Sequence, residues 1–199
     1  MKANSMKTAL HSRAFLTGMM ALLAVSQLST AQKPADSQDE PHGMIATQAG
    51  FLALDIPKGW TQSEGPGLAF FLPEGVKTRD AQAWMVISAS PVGPKADDKD
   101  ADAFIQSDIA GFKQAYPKGT VKPEAPIDLP VAKQKARVYE FASGAGYNAF
   151  ELVVYIEDYH KVWTITLSAK SADALAQAKP ALAAFAASYR GSIQMGSPD

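Results

Sequence analysis

Apolar and polar residues alternate along several short stretches of the chain and settle into a helical rhythm in two longer ones. Residues 51–56 (FLALDI) read as a strand stopped by Pro57-Lys58-Gly59-Trp60, where proline and glycine close the ladder and a bulky indole returns to the core. Residues 68–72 (LAFFL) form a second short strand, ended by Pro73-Glu74-Gly75. Residues 84–90 (WMVISAS) form a third, with Met85, Ile87 and Ala89 on one face and Trp84, Val86 and Ser88 on the other. From Asp100, a fitting cap, to Tyr116 the stripe of Phe104, Ile105, Ile109, Phe112 and Tyr116 predicts a helix that Pro117-Lys118-Gly119 terminates. The proline-rich residues 120–130 read as irregular. Three strands then follow closely, at 135–142, 149–157 and 161–169, with turn residues between them, so an antiparallel meander is expected. A last helix starts after Ser171, carries Leu175, Ala178, Leu182, Phe185 and Tyr189 inward, is expected to kink or divide at Pro180, and ends at a Gly191 cap.

Several strands are apolar on both faces, and such strands need cover on both sides. That points to a mixed α+β domain, its largely antiparallel sheet held between helices.

The first residues carry a different pattern. Lys2, Lys7 and Arg13 precede residues 14–25 (AFLTGMMALLAV), an uncharged apolar run well short of the about 20 residues a membrane span requires. Ser29 and Ala31 then stand where a signal peptidase reads small side chains. Cleavage after Ala31 is expected, which places the mature protein in the periplasm or outside the cell. The expected organisation is a signal peptide over 1–31, a flexible polar linker over 32–46, one domain over 47–193 and a tail over 194–199. Loss of the leader removes three positive charges and no negative one, moving the net charge from −1 to −4. Such a surface does not invite nucleic acid. The chain has no cysteine. Disulfides, thiolate catalysis, iron–sulfur clusters, Cys-ligated zinc and an acylated N-terminal Cys are therefore excluded.

Taken together, GFLALDIPKGW with Phe51, Ile56, Pro57, Gly59 and Trp60, the run YIEDYHKVWTITLSA over 155–169, and the closing Phe185, Ser188 and Tyr189 resemble the PsbP-like superfamily. That superfamily includes the bacterial DcrB-like envelope proteins and a eukaryotic nuclear-import factor. The resemblance covers about residues 47–193. It implies an α/β/α sandwich around a largely antiparallel sheet, and an accessory or binding role. DcrB-like proteins are often lipoproteins, and this chain departs from them in having no cysteine to carry a lipid anchor.

Candidate chemistry is sparse. His42 falls in the linker and His160 in a tight turn beside Asp158, so neither has the partners that catalysis or zinc binding would need. The stretch Asp97-Asp98-Lys99-Asp100 lacks the glycine and terminal acid of a calcium loop and reads as a solvated helix start. No nucleophile elbow or phosphate-cradling glycine loop occurs. No catalytic residue, metal site or cofactor is expected. Glu140, Glu151 and Glu157 on the meander supply the alternative, a periplasmic hydrolase using sheet-face carboxylates. A structural protein–protein module is a further alternative. The preferred expectation is an exported, non-catalytic binding or accessory protein of the envelope. Its protein or small-molecule ligand would meet Trp84, Tyr139, Glu151 and Tyr155 on an incompletely covered sheet face.

Overall fold

The meander forms the heart of the larger of two sheets. In the computed structural model the described residues are 43–47, 49–63, 69–92, 98–144, 149–159 and 161–193. Strands β1 (Met44–Thr47), β2 (Gly50–Ala53), β3 (Trp60–Ser63), β4 (Ala69–Pro73) and β5 (Ala83–Pro91) precede helix α1 (Asp98–Ala115). There follow β6 (Thr120–Leu129), β7 (Gln134–Ala142), β8 (Phe150–Asp158), β9 (Lys161–Ala169), helix α2 (Ala172–Ala187) and β10 (Gly191–Ile193). Seven strands make one antiparallel sheet in the order β3-β4-β5-β9-β8-β7-β6, and β1-β2-β10 make a small one.

Alternation along β8 decides what lies on each face. Leu152, Val154 and Ile156 point to one side and join Trp163, Ile165 and Leu167 of β9 and Met85 and Ile87 of β5. Helix α2 closes that side with Leu175, Ala178, Leu182 and Phe185, whose ring meets Phe71 edge-on at 4.9 Å. Val153 and Tyr155 point the other way, where Ala101, Ile105 and Phe112 of α1 cover them together with Phe141 and Val162. One helix on each face makes the α/β/α sandwich around an antiparallel sheet.

Several elements differ from the sequence expectation, each for a physical reason. Residues 120–130 are a strand and not an irregular passage. As the outermost strand, β6 pairs on one side alone, so Pro123 and Pro126 are tolerated, and a bulge between Glu124 and Ile127 absorbs the disturbance. Helix α1 begins at Asp98, so Asp100 lies inside the helix and is not its cap. Helix α2 runs through Pro180 undivided. The missing hydrogen bond faces solvent at exposed Ala176, and burial of Leu182, Phe185 and Ala186 beyond it outweighs a proline cost of about 3 kcal/mol. Ser188, not Gly191, caps that helix; the chain turns early because the Arg190 amide donates to Ala53 O, and Gly191, at φ 130°, opens β10.

The expected strand over 51–56 ends at Ala53. Beyond it the Leu54 amide donates to Gly43 O, and the Asp55 amide to Ser188 Oγ. The pairing of β1 with β2 buries Ile45, so ordered chain begins before Thr47. The strand expected at 68–72 runs over Ala69–Pro73; Leu68, like His42, His160 and residues 1–31, where a signal peptide is expected, lies outside the described residues.

Candidate functional site

Register places all four residues singled out in the sequence on the same side of the large sheet, the side that α1 packs against. Three cross-strand rows define it, since directly paired residues share a face. Trp84, Ser168, Glu151 and Phe141 make the first. Val86, Thr166, Val153 and Tyr139 make the second, and Ser88, Thr164, Tyr155 and Arg137 the third.

Helix α1 covers the β7–β8 ends of these rows. Phe112 meets Phe141 at 5.0 Å, and Phe104 meets Tyr155 at 6.3 Å. The Tyr155 hydroxyl donates to Asp108 Oδ2 at 2.6 Å. Arg137 holds the start of the helix by pairing with Asp102 and, on the neighbouring strand, with Glu157. Burial disfavours the Arg137 charge, but those two carboxylates more than offset it and hold its pKa above the ordinary value.

The β4–β5–β9 ends of the rows have no described helix above them. Trp84, Val86 and Thr166 are half-buried there, beside Phe70, which pairs with Val86. The half-buried strip combines the aromatic bodies of Trp84 and Phe70 with the hydroxyls of Ser88 and Thr166, while Thr164 and Ser168 lie buried between them. Ser88 and Thr164 lie 2.5 Å apart, and Ser168 Oγ donates to Glu151 Oε1 at 3.4 Å. Trp84 and Glu151 thus share one row, Trp84 within the open strip and the half-buried Glu151 on β8 at its border with the part that α1 covers. Tyr155 is 1% exposed and Tyr139 meets it edge-on at 6.0 Å, so these two support α1 at the strip's margin. Single-strand reading missed Phe70, Thr166 and Ser168, because only cross-strand register brings them alongside Trp84.

The meander carboxylates do not converge. Glu140 pairs with Leu152 and so lies on the α2 side, whereas Glu151 lies on the α1 side. Glu151 and Glu157 share a face but stand six residues apart on one strand, roughly 20 Å, against the about 5–9.5 Å of a glycosidase pair. Glu157 is also held by Arg137. Among the described residues, no group of three His, Asp or Glu side chains could hold a metal ion. What this strip is equipped to do is bind: aromatic and β-branched surfaces for an apolar body, with hydroxyls and one carboxylate to orient it.

No family model matches the chain, and no curated protein matches it. Among solved structures it is similar to the solution structure of cyanobacterial PsbP (CyanoP) from Synechocystis sp. PCC 6803. The two share 13% identity with a TM-score of 0.48, over 79% of this chain and 98% of that one.

Proposed function

We propose that this chain is exported and works without catalysis, as a binding or accessory protein of the bacterial cell envelope related to the DcrB-like proteins. In this reading the leader is cut near Ala31 and the mature chain acts in the periplasm or outside the cell. A protein or small-molecule ligand docks on the strip between α1 and β4. The observation that carries the reading is the placement of Trp84 and Glu151 in one cross-strand row, on either side of Ser168, on a sheet face that α1 covers at its other end. A half-buried indole with a carboxylate two strands away in the same row gives one apolar and one charged anchor, the minimum for oriented capture. Further support comes from the leader pattern over 1–31 and from the element order that underlies the family resemblance.

The test is purification of the mature form from its native envelope with whatever it holds, followed by mass spectrometry and N-terminal sequencing. A discrete bound species, with Gln32 as first residue, is the expected result. An intact leader in the membrane fraction, or a protein that carries nothing above background, overturns the reading.

A further inference from the structure

On the opposite side of the large sheet lies a cleft of about 290 Å³ between the β3–β4–β5 corner and the first half of α2. Its apolar wall is built from the half-buried Trp60, Pro73 and Ala174 and the buried Ala83. Register explains the meeting: Trp60 pairs with Pro73 across β3–β4, while Ala174, Gln177 and Ala178 share one helix face at spacings of three and four. Three polar side chains, Asp80, Gln82 and Gln177, stand around the rim.

We propose that this cleft binds a neutral sugar ring. The volume lies just below the about 300–1,000 Å³ of ligand pockets, which is room for one ring and no more. Charge argues for neutrality. Asp80 Oδ2 lies 3.5 Å from Arg79 Nε, and Lys170 Nζ reaches Arg79 O at 3.4 Å, so the rim offers no net negative field for a cation. The Asp80 carboxylate in turn disfavours an anion. Hydrogen-bonding capacity argues for hydroxyls. The Trp60 indole N–H and the Gln177 amide have no partner among the described residues, and Gln82 spends one amide hydrogen on Asp80 O at 3.2 Å, keeping its carbonyl. Amides both donate and accept, as each sugar hydroxyl does, and the carboxylate only accepts. A purely apolar ligand would use none of this hydrogen-bonding capacity. The site lies on the opposite face from Trp84, so it does not depend on the strip between α1 and β4.

The experiment uses the mature chain and follows the Trp60 indole N–H by NMR, its peak assigned by its loss in Trp60→Phe. Methyl glycosides of glucose, galactose, mannose and N-acetylglucosamine are titrated, with choline and acetate as charged probes and cyclohexanol as an apolar one. At least one glycoside is expected to shift the Trp60 peak saturably and leave those of Trp84 and Trp163 in place. Ala174→Leu, which fills the cleft from the helix side, should abolish the shift, and Gln177→Ala should weaken binding about tenfold. Both variants leave the sheet core intact. The proposal is overturned if no glycoside moves the peak, if the shift survives Ala174→Leu, if Gln177→Ala leaves the affinity unchanged, or if choline, acetate or cyclohexanol binds as well as the best glycoside.

Discussion

The Tyr155 hydroxyl donates to Asp108 Oδ2 at 2.6 Å, tying the centre of β8 to helix α1. With Arg137 bridging Asp102 and Glu157, it fixes where α1 sits and therefore where its cover stops. The open strip beside the helix is a consequence of that placement.

Tyr155→Phe keeps the ring and deletes this bond. A hydrogen bond to a charged group is worth about 1.5–3 kcal/mol, and the partial exposure of Asp108 favours the lower end. Urea denaturation should show a loss of about 1.5 kcal/mol, with ligand capture by the folded variant unchanged.

Trp84 and Glu151 should behave in the opposite sense. Trp84→Ala and Glu151→Gln alter the strip and not the packing beneath α1, so each should reduce capture of the bound species at least about fivefold. Circular dichroism and thermal midpoint should stay near those of the wild type. Full capture by both variants in a pull-down would remove the strip from the account.

Alkaline pH probes the junction between the two sheets. Asp158 Oδ2 accepts from the Tyr189 hydroxyl at 2.6 Å and from Ser192 Oγ of β10. Burial first, and then the Asp158 carboxylate, raises the Tyr189 pKa far above its ordinary value. The folded chain keeps a proton that the unfolded chain releases near pH 10. The stabilising contribution is therefore full below about pH 10 and is lost as pH rises from there toward the folded value. Urea midpoints measured between about pH 9 and 11 should fall more steeply for the wild type than for Tyr189→Phe.

Gly144 closes β7 with φ +83°, and a Cβ there would stand 2.8 Å from the carbonyl oxygen of Lys118 in the α1–β6 turn. Both the backbone conformation and the close approach require glycine. Gly144→Ala should cost about 1–3 kcal/mol, read by thermal denaturation.

Long, strongly patterned elements were legible in the chain: the meander, β5 and both helices follow from alternation and from the 3.6-residue stripe, because each buries a continuous apolar face. The short edge elements were not. Trp60–Ser63 is largely polar and Gly191–Ile193 has three residues, so pairing alone makes them strands. The prolines of β6 concealed a strand whose outer edge needs no donor. As for the site, period-two spacing put Trp84, Glu151 and Tyr155 on one sheet side, but it could not show that Phe104 would cover Tyr155 and leave Trp84 half-open. The Trp60 cleft had no sequence signal, since it joins residues more than a hundred positions apart.

Thr166 stands at the centre of the open strip, and exposed Lys122 stands on the outer strand β6. A photoreactive benzoylphenylalanine at each position, irradiated in the native envelope, compares the two surfaces directly. The account predicts a discrete adduct from position 166 that disappears with Trp84→Ala, and none from position 122. Equal labelling from both positions, or no adduct from 166, would contradict it.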